Sequence, residues 1–113
     1  MKRLTVTEMF EGFIISRPKY VALWELIDQF DKSHIELNYP YQTSEVKKIL
    51  RMTYAILSTT KPTDYNREYL AMIKTTCDGI DPEKPDYMQI NKLKDLVHHI
   101  SEYGFPCKQD DMT

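Results

Sequence analysis

Residues 17–31 read RPKYVALWELIDQFD. Apolar side chains recur here at the three- and four-residue spacing of one helical face: Tyr20, Leu23, Trp24, Ile27 and Phe30. Val21 and Leu26 widen that face. A helix that is apolar around so much of its circumference is typical of the middle of a fold. We therefore expect residues 17–31 to form the central helix.

The residues before this helix predict another one. Thr5-Val6-Thr7-Glu8 matches a capping box, in which a hydroxyl and a carboxylate satisfy each other's free backbone amides. The apolar residues that follow lie on one helical face: Val6, Met9, Phe10, Phe13 and Ile14. Ser16-Arg17-Pro18 then interrupts the pattern, because Ser16 suits an N-cap and proline is tolerated in a first turn. This predicts two separate helices.

Three more helices are predicted further along the chain. Asn38-Tyr39-Pro40-Tyr41 is typical of a turn, and Thr43 or Ser44 is expected to cap the third helix. The fourth runs from about Asp64 to Cys77, and Gly79 is expected to end it in a left-handed conformation. Asp86 is expected to cap the fifth, with Gly104 and Pro106 at its end. The apolar stripe of the third helix is Val46, Ile49, Leu50, Thr53 and Leu57. That of the fourth is Tyr65, Tyr69, Met72, Ile73 and Thr76, and that of the fifth is Ile90, Leu93, Val97, Ile100 and Tyr103.

Taken together, these segments predict an all-α fold. The chain has 113 residues, enough for one domain. We expect a compact four- or five-helix bundle over residues 1–107, with short connections, antiparallel neighbours and a frayed tail at 108–113.

Composition narrows the classes of function. Lys+Arg is 15 and Asp+Glu is 17, and the lack of a basic excess argues against a protein that binds mainly to nucleic-acid phosphates. Only 3 glycines are present, so glycine-rich phosphate loops are not expected. Glu8 and Glu11 interrupt any apolar core of a secretory signal, and no apolar run is long enough for a membrane span. We expect a cytoplasmic protein, in the host cytoplasm if it is viral, with Cys77 and Cys107 reduced.

No residue pattern predicts a catalytic, metal or cofactor site. His98 and His99 are adjacent on one helix, so their side chains diverge and cannot share a metal. Pairing of His98 with Glu102, or of His99 with Asp95, is the ordinary arrangement on a solvated helix face. We predict that the protein is not an enzyme; an enzyme would have to draw on His34, Cys77, His98 or His99.

Two neighbouring groups of residues suggest a binding surface. Tyr39 and Tyr41 flank Pro40 in the predicted loop, and rigid exposed aromatic side chains are common anchors of protein interfaces. Lys47, Lys48 and Arg51 cluster on the polar side of the third helix, where basic residues beside an aromatic one can follow a phosphate backbone. A solvated face is the more ordinary explanation of the three cations.

One short stretch resembles a known family. Glu83-Lys84-Pro85-Asp86-Tyr87, with Glu68-Tyr69-Leu70 before it, is similar to the late C-lobe of casein-kinase-1-type and vaccinia-related kinases. The glycine-rich, HRD-like and DFG motifs of that family are missing from the sequence. Asp86 capping a helix explains the stretch by local chemistry alone, so no family is assigned.

The function expected from these observations is protein binding. We expect a small inhibitor, antagonist or adaptor that acts by stoichiometric contact with another protein, for example a phage- or virus-encoded blocker of host machinery. Its expected contact residues are Tyr39, Tyr41, Lys47, Lys48 and Arg51. The first alternative is a nucleic-acid-associated regulator that uses Lys47, Lys48 and Arg51, and the second is a small enzyme. The apolar stripes could equally close a homodimer.

Overall fold

The computed structural model describes residues 4–36 and 39–106, without the side chains of His34, Tyr39 and Pro40. Every regular element within these ranges is helical, which confirms the all-α prediction. The elements are α1 (Val6–Phe10), a π-helical segment (Glu11–Ser16), α2 (Arg17–Ser33), a 3₁₀ turn (His34–Glu36), α3 (Tyr39–Thr59), α4 (Arg67–Asp78) and α5 (Tyr87–Tyr103). Cys107 and the tail predicted to be frayed, 108–113, lie outside the described residues.

The helices α2 to α5 form a four-helix bundle. The helix α2 packs against α3 and α5, and α4 completes the ring by packing against the same two helices. Neighbours run antiparallel: Arg17 Nε at the start of α2 donates to the Ser101 carbonyl near the end of α5, at 2.7 Å. Near the other end of α2, Lys94 Nζ lies 3.0 Å from Asp28 Oδ1. The core stripe predicted for residues 17–31 is buried at Tyr20, Leu23, Ile27 and Phe30.

The predicted stripes of the other helices are buried in part. In α3 and α5 the core side chains are Val46, Ile49, Leu50, Thr53, Ile90, Leu93, Val97 and Ile100. The tyrosine at the end of the last stripe, Tyr103, is 69% exposed. In α4, Ile73 and Thr76 are buried, while Met72 is 43% exposed and Tyr65, just before the helix, is also exposed. The residues of a predicted stripe are therefore exposed where the bundle ends or where no other helix packs against them.

The predicted break between the first two helices is wrong. The chain stays helical from Val6 to Ser33, and Ser16 is the last residue of the π-helical segment instead of an N-cap. The Arg17 amide donates to the Gly12 carbonyl, five residues back. In an α-helix, the ring of Pro18 would clash with the carbonyl four residues earlier. The wider π turn directly before Pro18 accommodates the ring without ending the helix.

The predicted turn at residues 38–41 also needs correction, because α3 already begins at Tyr39. Pro40 and Tyr41 lie in its first turn, and Thr43 and Ser44 lie inside the helix. Proline is compatible with that position, since the amides of a first turn have no acceptor within the helix. The side chain of Tyr39 lies outside the described part of the chain.

Two of the glycines lie at helix ends, as predicted, but neither has the left-handed backbone conformation. Gly79 follows α4 with φ −90°, and Gly104 follows α5 with φ −82°. At Gly104 the requirement is space: a Cβ there would lie 2.7 Å from the Ile100 carbonyl oxygen. At Gly79 the nearest atom would be 3.6 Å away.

Tyr20 carries its hydroxyl into the core. The residue has no exposed surface, and its hydroxyl lies 2.6 Å from Thr60 Oγ1. Thr60 in turn donates to the Ile56 carbonyl at 2.7 Å, so the Tyr20 hydroxyl is the donor of the pair. Burial raises the pKa of Tyr20 to about 12.

This burial predicts a loss of stability at alkaline pH. The folded-state pKa of Tyr20 lies above the unfolded value, so the stability from its neutral hydroxyl is complete below pH 10 and is lost as pH rises towards 12. Between about pH 9 and 11 the wild type should lose about 1 kcal/mol more free energy of unfolding than Tyr20→Phe. Urea unfolding at both pH values measures this difference. Equal losses in the two proteins would contradict it.

Candidate functional site

The α3 residues predicted to bind a partner share one outer surface. Tyr41, Lys47, Lys48 and Arg51 are all exposed, and Tyr41 is 63% exposed. Their spacing along a single helix brings them together, with Tyr41 two turns before Lys48. Tyr41 also borders a shallow cleft of about 190 Å³ with Phe30 and other residues of α2. Tyr41 thus lies on a helix, whereas the sequence predicted it on a loop.

The charges on this α3 surface are only weakly engaged by the rest of the protein. Lys47 Nζ lies 3.4 Å from Glu83 Oε1, and both side chains are more than half exposed. Such an exposed ion pair adds little stability because water and salt screen it. Within the described residues, Lys48 and Arg51 form no ion pair. The surface can therefore offer positive charge to a ligand.

A second surface, missed by the sequence analysis, is an apolar strip along α1, the π-helical segment and the start of α2. Every fourth residue from Val6 to Ala22 is exposed and apolar; we define the apolar strip as Val6, Phe10, Ile14, Pro18 and Ala22, with Ile15 beside it. Phe10 is 61% exposed, and Ile14 and Ile15 are each about half exposed. Single exposed apolar residues are ordinary, whereas a contiguous row of them makes this side of the segment a candidate contact site.

The opposite side of the same segment holds it to the bundle. Of the five apolar residues predicted to share one helical face here, only Met9 is buried. Gly12 lies against Phe105, and a Cβ at this position would come within 3.1 Å of the ring. Phe105 in turn packs on Tyr20, with ring centroids 5.5 Å apart. Met9 and Gly12 therefore lie on the inner side, whereas Val6, Phe10 and Ile14 of the predicted stripe are exposed.

The sequence did contain a signal for this strip. Six large apolar residues fall between Val6 and Ile15, more than one side of so short a segment can bury. A short helix with apolar residues on two sides has one of them unburied in the monomer. The glycine marks the side where another part of the chain approaches closely.

A cleft of about 180 Å³ lies beside the apolar strip. Its walls are the π-helical segment, residues 59–63 after α3, and Gly104–Pro106. Glu8 and Lys61 form an ion pair of 3.1 Å among its lining residues. Lys61 and the capping contacts with Thr5 lower the pKa of Glu8. The Thr5–Glu8 capping box predicted from sequence is present in full.

Asn66 and Gly104 join two walls of this cleft. Asn66 is completely buried; its Oδ1 accepts from the Thr63 amide at 2.9 Å and its Nδ2 donates to the Gly104 carbonyl at 3.0 Å. The side chain thus joins the α3–α4 connection to the end of α5. No sequence pattern singled out this residue.

His98, His99 and the buried thiol of Cys77 pack against other side chains of the bundle. His98 stacks obliquely on Trp24 and lies 3.8 Å from Glu102, as the sequence suggested. His99 does not pair with Asp95; it stacks on Tyr69 at 4.1 Å. Burial raises the pKa of Cys77 to about 12, which disfavours the nucleophilic thiolate. The side chain of His34 is outside the described set.

Two further findings concern the whole described chain. Over residues 4–36 and 39–106, no three His, Cys, Asp or Glu side chains are grouped in a way that could hold a metal ion. None of the helices in those ranges combines the length and apolar character needed to cross a lipid bilayer.

No protein-family model matches the chain, and no curated protein or solved structure is significantly similar to it. The class that the fold defines is an all-α four-helix bundle.

Proposed function

We propose that the protein acts by binding another protein chain through the apolar strip, as a stoichiometric inhibitor or adaptor. The observation that carries this proposal is the row of exposed apolar side chains from Val6 to Ala22. Covering Phe10, Ile14 and Ile15 removes apolar surface from water, which is the main driving force of protein association. The helical form of the strip suits a partner helix or groove with side chains at the same four-residue spacing.

The α3 surface is proposed as a second contact region. Tyr41 offers a large exposed ring, and Lys47, Lys48 and Arg51 suit an acidic patch on a partner. The same three cations leave nucleic acid as the alternative ligand. The phage or viral origin and the cytoplasmic location also remain predictions.

Substituting the apolar strip tests the proposed function. We expect Phe10→Glu with Ile14→Glu to reduce capture of a partner protein at least about tenfold, because two charges would have to be buried in the interface. The matched control is Ile35→Glu with Met88→Glu, which adds the same charges at residues that are 84% and 80% exposed. Both variants should keep wild-type helicity and melting temperature, since none of the four side chains is in the core.

The measurement is affinity capture from the cell of origin with quantitative mass spectrometry, performed with and without nuclease. The proposal predicts a partner that survives nuclease, is retained by the control and is lost by the strip variant. A partner retained equally by both variants would contradict the role of the strip. Loss of the signal after nuclease treatment would favour the nucleic-acid alternative.

A further inference from the structure

The charges beside the apolar strip have a pattern of their own. Ile15 is 52% exposed, Glu11 lies four residues before it, and Lys19 lies four residues after it. Both charged side chains are exposed, and neither forms an ion pair within the described part of the chain. An acid, an apolar residue and a base thus follow one another along one side of the helix, at one-turn intervals.

The neighbouring charges are already engaged in the fold. Glu8 is paired with Lys61 at 3.1 Å. Arg17 donates to the Ser101 carbonyl, and its guanidinium lies 5.3 Å from the centre of the Phe13 ring. Glu11 and Lys19 are therefore the charges that remain for a partner along this part of the helix.

This pattern is complementary to itself. When two identical helices cross antiparallel at a two-fold axis through Ile15, a residue four positions before the axis faces the residue four positions after it on the other helix. Glu11 of each copy then meets Lys19 of the other, so the ion pair forms twice. We infer that a second copy of this chain covers the apolar strip, in an antiparallel pairing centred on Ile15. The inference rests on the proposed function, since it names the chain that binds the strip.

The apolar residues fit the same arrangement. The axis places Ile14 and Ile15 of both copies at the crossing, and Phe10 of one copy, five positions before the axis, between Pro18 and Ala22 of the other. From Val6 to Ala22 the strip is about 24 Å long at the rise of an α-helix, so the contact extends about two turns on either side of the axis. An unrelated partner would need apolar and charged groups in this order by coincidence, whereas a second copy has them by symmetry.

Charge reversal tests the pairing, with sedimentation equilibrium of the purified protein as the measurement. Glu11→Lys alone, or Lys19→Glu alone, sets like charges against each other at two places per dimer. Each should raise the dimer dissociation constant about tenfold. The protein with both substitutions should return close to the wild-type constant, because the pairs are restored with exchanged positions. An equimolar mixture of the two single variants should associate more tightly than either alone.

The matched control reverses charges elsewhere on the surface. Glu68 and Lys92 are exposed on α4 and α5, and Glu68→Lys with Lys92→Glu should leave the dissociation constant unchanged. A wild-type protein that stays monomeric up to about 200 µM, a range that includes weak dimers, would overturn the inference. So would a dimer whose single variants are not rescued by the double variant. The capture experiment still decides the proposed function in either case, because a different protein can bind the strip of a monomer.

Discussion

Replacing Asn66 by leucine should lower the free energy of unfolding by about 3 kcal/mol. Asn66 is completely buried and satisfies two backbone groups at once, the Thr63 amide and the Gly104 carbonyl. Leucine has a similar volume but neither a donor nor an acceptor. The buried Gly104 carbonyl and the half-buried Thr63 amide would then lack partners, and each such group costs about 1–3 kcal/mol.

Urea unfolding of the two proteins at neutral pH measures the Asn66 effect. The matched control is Asn91→Leu on α5, where the side chain is exposed and the change should stay within about 0.5 kcal/mol. If Asn66→Leu were as stable as Asn91→Leu, the two hydrogen bonds of Asn66 would not hold the connection to α5.

Replacing Gly104 by alanine should also lower the free energy of unfolding by about 3 kcal/mol. The new Cβ would lie 2.6 Å from Ile100 Cγ1 and 2.7 Å from the Ile100 carbonyl oxygen. The backbone angle is not the obstacle, since φ is −82° and any residue adopts it. To relieve the clash, the turn after α5 would have to move, and both the bond to Asn66 and the packing of Phe105 would be disturbed.

Gly79→Ala is the matched control for Gly104. It also follows a helix with a right-handed φ, but its Cβ would meet only carbonyl oxygens at 3.6 and 3.8 Å. Alanine there should leave stability unchanged or raise it slightly, because it restricts the unfolded chain. Thermal and urea unfolding of both variants measure the contrast. Equal stability of the two would show that the turn after α5 shifts at no cost.

Much of the helical framework follows from local patterns in the sequence. Asp86 was expected to cap α5, and its carboxylate accepts from the Met88 amide at 2.9 Å. Gly79 and Gly104 were expected directly after α4 and α5, and the helices end at Asp78 and Tyr103. Caps and apolar periodicity act within a few residues, so they can be interpreted without knowing the rest of the fold.

Two errors arose where a proline was taken as the boundary of a helix. Pro18 and Ser16 suggested a new helix, but a π turn carries the chain through. Pro40 suggested a loop, but a first helical turn tolerates it. In both cases proline removes one backbone donor without deciding whether the helix goes on.

The predicted α3 residues could be found from the sequence, whereas the exposure of the apolar strip could not. Lys47, Lys48 and Arg51 were identified because charged side chains remain exposed in almost any fold. Phe10 and Ile14 were predicted to share one helical face, but a sequence pattern does not show what covers that face.

The sequence by itself determined the all-α class, the caps at Thr5 and Asp86 and the buried stripe of α2, because these depend on spacing along one helix. Only the tertiary structure decided that Met9 and Gly12 face inward, that Asn66 binds the Gly104 carbonyl, and that the apolar strip is left exposed. The physical reason is that burial belongs to pairs of surfaces. A side chain is in the core only when another part of the chain comes close enough to exclude water from it.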